Sequence, residues 1–335
     1  DGYDDAEEEI SAEGEHVILV KMNKKSADPE PEAVQPPVKS PGDGKTPGKT
    51  DGKKENATFA LELGSLVLTP RSSGKAGTAK FRDEDIVAYD FNTNTWQMVF
   101  DGSDVGVTKD VDAFAFLPNG HLLLSFNGPT NAPGLGKVDD SDIVEFIPKE
   151  LGGHTDGTFA WYLHGADVGL TTDGEDIDAI GFTPDGHLVV STIGDFNTPT
   201  ASGRDEDLFE LDNATFGNPT SGTWKLSFDG SKAGLANEDV NGVWIDPANG
   251  QLYLTVKDGF TFDTTHVDAN DIFVCTPTQD GGCRYGLFWD ADAHAYGSKN
   301  LDSIFLGELP ATFQAGAEVQ PADAMSAEEA VPDED

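Results

Sequence analysis

DVDAFAFLPNGHLLLSF, residues 110–126, returns as DIDAIGFTPDGHLVVST at residues 176–192 and as DVNGVWIDPANGQLYLTV at residues 239–256. The first half of a fourth copy, NLDSIFLGEL, stands at residues 300–309. In each full copy a run of alternating apolar residues is followed by Pro-Asn-Gly, Pro-Asp-Gly or Pro-Ala-Asn-Gly and then a second run. This is the pattern of two antiparallel strands, a and b, joined by a tight turn.

A second element keeps step with the first. RDEDIVAYDF (82–91), DDSDIVEFIP (139–148), RDEDLFELDN (204–213) and ANDIFVCTP (269–277) each precede an aromatic run: TWQMVFDG, TFAWYLHG, TWKLSFDG and GLFWDADA. These read as strands c and d. Four antiparallel strands in a unit of about sixty residues, repeated at a fixed period, describe a β-propeller blade. Strands b, c and d of one unit come first, from about Phe59 to Phe100, whereas a matching strand a comes last, at Leu301–Leu306. Pairing the two closes a ring of four blades, with room for a fifth if the N-terminal region holds a degenerate one. A β-solenoid would need shorter repeats, and separate sandwiches would need linkers between units.

Outside this block the composition changes. Residues 1–25 form an acidic arm with one apolar run, Val17, Ile18, Leu19, Val20, Lys21 and Met22, which reads as an isolated strand. Residues 26–56 are rich in Pro, Gly and Lys and read as an extended linker. The propeller takes 57–313, and 314–335 is an acidic, Ala-rich tail of disordered composition.

Lys and Arg number 21 against 61 Asp and Glu, a formal net charge of −40. That excess excludes nucleic-acid phosphates and anionic membranes as partners, and no apolar run is long enough for a membrane-spanning helix. It fits a cation-binding protein, a protein adapted to high salt, or a self-repelling surface. The position of the acids favours the first. In an up-and-down blade strands a and c start at the same edge, and the repeated acids fall at those starts. For strand a they are Asp110 and Asp112, Asp176 and Asp178, Asp239 and Asn241, and Asn300 and Asp302. For strand c they are Asp83 and Asp85, Asp140 and Asp142, Asp205 and Asp207, and Asp268 with Asp271. All collect on one face. Carboxylates held that close either rise in pKa or recruit a cation, and calcium suits an irregular all-oxygen site. Glu84, Glu206 and the carbonyls of the b–c and d–a loops could add oxygens. The same acids read alternatively as turn caps bonded to backbone amides.

His121 and His187 belong to the a–b turns on the opposite face. Trp96, Trp161, Trp224 and Trp289, one per strand d, read as packing between blades. Cys275 and Cys283 flank a TPTQDGG turn and suit a hairpin disulfide, which needs an oxidising compartment. With a chain that starts at Asp1 rather than Met, they point to an extracellular protein whose leader has been removed. Asn56 and Asn213 lie in glycosylation sequons. No catalytic motif is present, and the carboxylates repeat with the blades instead of forming one asymmetric constellation.

The combination F-D-G-S-D-V-G, D-V-D-A or D-I-D-A, P-D-G-H-L and D-E-D-I resembles the repeats of secreted and cell-surface β-propeller proteins of bacteria and archaea, over about Phe59 to Leu309. The resemblance implies an extracellular setting and transfers no catalytic residues. The functional expectation is a non-catalytic, calcium-binding structural subunit that polymerises head to tail when the Val17–Met22 strand adds to a neighbour's sheet edge. The alternatives are a module recognising a glycan or surface partner and, further off, a calcium-dependent propeller hydrolase.

Overall fold

The computed structural model describes residues 64–310 and residue 313; the Val17–Met22 run, the linker and the acidic tail lie outside them. Every repeat folds into one four-stranded antiparallel sheet, and the four sheets make a four-bladed propeller. In blade 1 strands a to d are Leu301–Gly307, Ser65–Pro70, Ile86–Asp90 and Thr95–Phe100. In blade 2 they are Ala113–Phe116, Leu122–Ser125, Ile143–Glu150 and Asp156–Leu163. Blade 3 has Ile177–Phe182, Leu188–Thr192, Leu208–Thr215 and Ser221–Phe228. Blade 4 has Val240–Ile245, Leu252–Val256, Ile272–Pro277 and Cys283–Trp289. The ring closes as the repeat requires: Ser65 pairs with Gly307 and Leu68 with Ile304. No fifth blade is present among the described residues.

Because a blade is buried on both faces, its inner strands are apolar on both. Four core clusters result, one in each seam between neighbouring blades. The b–c connections, expected to be open loops, instead carry small two-stranded hairpins, such as Gly74–Ala76 with Ala79–Phe81. Phe81, Val138, Phe196 and Val267 on these hairpins are buried, so each covers the end of its blade with one apolar side chain.

All four strand d tryptophans pack in the seams between blades, as expected, but not at one repeated position. Trp96 and Trp224 hold the same position four residues before the end of strand d, where their indole N–H groups donate to His294 O and Val168 O. Trp161 pairs opposite Val144 and Trp289 opposite Ile272, one and two pleat steps away. One Trp per strand was a coincidence of count, because any large aromatic fills the seam: Phe159 stands where Trp96 does.

The repeated F-D-G-S-D-V-G and D-E-D-I motifs are two halves of one lock. After strand d the chain makes a short helical turn, Gly102–Val105, Gly165–Val168 or Gly230–Ala233, against the start of strand c. A Cβ at Gly102, Gly165 or Gly230 would lie 2.4, 2.2 or 2.1 Å from the carbonyl oxygen of Glu84, Ser141 or Glu206. Two seams carry a further latch. Thr155 Oγ1 accepts from Asp101 N while Thr155 N donates to Asp104, and Gly152 N donates to Val99 O on the edge of blade 1. Thr220, Asp167 and Gly217 repeat this on blade 2. At the seam of blades 3 and 4 Lys232 stands in place of Asp104 and Gly281 in place of Thr155. A groove of about 450 Å³ opens there, lined by Leu226, Phe228, Ile245, Leu252, Pro184 and Pro277 among others.

Candidate metal centre

Strand a opens each blade beside the propeller axis, and its first residues are the repeated acids. A β-bulge sits there: Ile177 pairs with Thr192 and Ala179 with Ser191, leaving Asp178 unpaired. Asn241 and Asp302 are left over in the same way, and Asp112 occupies the corresponding place just before its strand. A bulge swings the extra side chain out of the alternating pleat, here into the axial end of the ring. Asp112 of blade 2 and Asp239 of blade 4, on opposite blades, are close enough for Asp239 to push the Asp112 carboxyl up. One carboxylate oxygen each from Asp110, Asp112 and Asp302 lie within 4.8 Å of one another.

These acids are buried, Asp110 and Asp239 only in part, and short of donors. Asp112, Asp178 and Asp302 are 4, 2 and 1% exposed. Among the described residues twelve buried side-chain polar atoms have no hydrogen-bond partner, and eight of them are carboxylate oxygens of this cup. They are Asp110 Oδ1, Asp112 Oδ2, Asp176 Oδ1, Asp239 Oδ1 and both oxygens of Asp178 and Asp302. A buried carboxylate without donors costs several kcal/mol, about as much as a lost charged hydrogen bond or more, so a concentration of eight such atoms demands a compensating charge. Burial, before any other cause, pushes Asp110 and Asp176 up to about 8 and Asp112 to about 6. Asp178 and Asp302 are driven well above the usual carboxylate range, by burial and then by neighbouring aspartates. Asp239 is raised as well, by burial first.

The predicted set divides on this geometry. The strand c residues Asp85, Asp142, Asp207 and Asp271 have both oxygens committed. One accepts from the amide three residues back, of Arg82, Asp139, Arg204 or Asp268. The other accepts from Gly102, Gly165, Gly230 or Ala291 N. They act as turn caps that hold the lock described above. Asp83, Asp140 and Asp205 bring their backbone carbonyls to Val111, Ile177 and Val240 N, stitching each strand c to the next strand a. In blade 4 the equivalent residue is Ala269, whose carbonyl accepts from Leu301 N, so Asp268 is one residue out of register and has no place in the pair. Asn241 is also engaged, its amide donating to Leu301 O and its oxygen accepting from Thr255 Oγ1. It ties blade 4 to blade 1 and brings no free oxygen to the cup.

Two cations at the rim were not singled out in the sequence. One equivalent position just past strand b holds Arg71, Asn127, Ile193 or Lys257, and in each its amide donates to the carbonyl of a residue leading into strand a, Asn300, Asp110, Asp176 or Asp239. Lys257 Nζ lies 3.0 Å from Asp239 Oδ2, and Arg71 Nη1 3.6 Å from Asp302 Oδ1. The signal was available: aligned on strand b, the copies read TPR, SFN, STI and TVK. On the opposite face His121 and His187 are paired with Glu145 and Glu210, which leaves them outside the cup. Cys275 and Cys283 form a disulfide across the outer hairpin of blade 4, with Cα atoms 5.3 Å apart.

No family model and no curated protein matches the chain. Solved structures similar to it include YCF48 bound to D1 peptide, at 16% identity and a TM-score of 0.29 over 70% of this chain. The Malassezia sympodialis allergen Mala s 1 is 10% identical, with a TM-score of 0.32 over 68% of this chain and 80% of its own. A Bacteroides caccae protein of unknown function is 10% identical, with a TM-score of 0.26 over 72% of this chain and 98% of its own. The match spans about half, 52%, of the YCF48 chain. Likenesses of this size carry no argument about function.

Proposed function

We propose that the chain is a non-catalytic extracellular propeller whose axial end is held by a calcium ion, seated among Asp110, Asp112, Asp176, Asp178, Asp239 and Asp302, and that it serves as a structural building block. The eight buried oxygens that accept no hydrogen bond carry this reading. An all-oxygen donor set of that size suits calcium, which takes six to eight oxygens in irregular geometry, whereas zinc takes His or Cys ligands. Every acid of the cup is one of the repeated blade acids, which fits a tie between blades better than a one-sided reaction site. The disulfide fits an oxidising compartment. Calorimetric titration of chelator-treated protein with calcium tests the reading, with binding at a stoichiometry near one expected. No binding of calcium, together with melting that is the same in calcium and in chelator, would refute it.

The assembly reading draws on the unlatched seam. Where Gly152 and Gly217 close the outer edges of blades 1 and 2, no amide among the described residues meets the corresponding Ser227 carbonyl of blade 3. The apolar run Val17–Met22 of a second copy has the right composition to add there as a strand. Negative-stain microscopy of the full chain, beside versions lacking 17–22 or carrying Leu226→Glu, should show filaments in the first sample only. Dispersed particles in all three overturn the idea.

A further inference from the structure

The cup is not uniform around the axis. Blade 3 offers Asp176 and Asp178 with three unpartnered oxygens and has Ile193 at the rim. In blade 2 the rim residue is Asn127, an amide that hydrogen-bonds Asp112. In blades 4 and 1 the same position carries full positive charges, Lys257 against Asp239 and Arg71 against Asp302. Six carboxylates thus face two internal cations, leaving a large negative excess at full ionisation.

We propose that Lys257 and Arg71 are built-in counter-cations of the axial cup, which compete with the divalent ion for Asp239 and Asp302 and thereby set how tightly it is held. This rests on the calcium reading above. A calcium ion sits about 2.4 Å from a ligand oxygen. An ammonium already bonded to the same carboxylate would then face it across about 5 Å, where two charges of the same sign repel strongly even at an effective dielectric of about 20. Full use of Asp239 as a ligand therefore requires Lys257 to leave. It can do so: its side chain is 41% exposed and that of Arg71 35%, so both charged ends can swing into solvent on their flexible stems. In the ion-free state the same two residues hold the carboxylates that would otherwise repel, so the ring closes before calcium arrives.

The test is calcium titration by calorimetry, with melting in chelator, on wild type, Lys257→Met, Arg71→Met and Lys149→Met. Lys149 pairs with Asp156 on the outer edge, away from the cup, and serves as the surface-charge control. Lys257→Met should bind calcium at least tenfold more tightly than wild type, melt lower in chelator, and so gain more from calcium. Arg71→Met should shift the same way by less, its ion pair being longer, and Lys149→Met should match wild type. If Lys257→Met does not fold in chelator, recovery in calcium is the expected result, and Lys257→Gln provides the affinity. Wild type that binds calcium while the Lys257 variants bind it equally or more weakly overturns the counter-cation role and leaves the calcium reading intact. Absence of binding in wild type and in every variant overturns both.

Discussion

Asp178→Asn is the substitution on which the axial cup can be judged. The carboxylate is 2% exposed and neither oxygen meets a donor, so in chelator the native state carries a group that is protonated or unpaired. The amide removes that charge and should leave the ion-free protein as stable as wild type or more so. In calcium the order reverses. A ligand present at 100 times its dissociation constant stabilises by about 2.7 kcal/mol. For a domain of this size, about 2–4 °C per kcal/mol, the wild type should melt about 5–11 °C higher in calcium than in chelator. A ligating carboxylate, its charge centred about 3 Å from a divalent ion, interacts by roughly 11 kcal/mol gross at an effective dielectric of about 20. If about a quarter survives desolvation, affinity falls about a hundredfold, and at the same calcium concentration the stabilisation shrinks to about 0.4 kcal/mol, a shift of about 1 °C. Differential scanning calorimetry of both proteins in the two buffers provides the four melting points. A full calcium shift retained by Asp178→Asn would refute the assignment of this side chain to the ion.

The raised carboxyls fix the pH dependence. Asp110 and Asp176 titrate at about 8 in the folded chain, Asp85 at about 7 and Asp112 at about 6, against about 3.9 unfolded, so between pH 4 and 8 the native state holds protons that the unfolded state has lost. Stability in chelator should therefore fall as pH rises across that window, and calcium should flatten the slope; urea midpoints at pH 5 and 8 that agree in chelator would contradict this. Gly165→Ala forces a Cβ to 2.2 Å from Ser141 O and should cost about 3 kcal/mol or more by denaturant unfolding. Thr155→Ala and Thr220→Ala each remove the hydroxyl side of a latch, leaving the Asp101 or His164 amide without its acceptor, and should cost about 1–3 kcal/mol, while hydrogen exchange in wild type should be faster along the blade 3 edge at Ser221–Phe228 than along the latched edges. Replacing both Cys275 and Cys283 by Ser should cost about 2–3 kcal/mol, the closure entropy of a short loop.

Repetition and strand period are local properties, and they were enough for the architecture. DVDAFAFLPNGHLLLSF and its copies carried the a–b hairpins and the blade count, and the half copy at residues 300–309 carried the closure with Ser65–Pro70, because a strand pair must follow its apolar alternation. The acids at the strand starts were legible as a set and their shared face followed from strand direction. What each acid does was not. Asp85 and Asp178 look alike in sequence, yet one accepts two backbone amides while the other stands unpartnered on the axis. The difference comes from the bulge at Asp178 and from the amides of Arg82 and of Gly102, past strand d of the same blade, that reach Asp85. Lys257 and Arg71 likewise gain their role only when four rim positions, more than sixty residues apart in places, converge on one axis. Local periodicity decided which strands form; the distribution of donors around buried charge was decided only by the closing of the ring, since a hydrogen-bond partner supplied by another blade leaves no mark on the residues beside it.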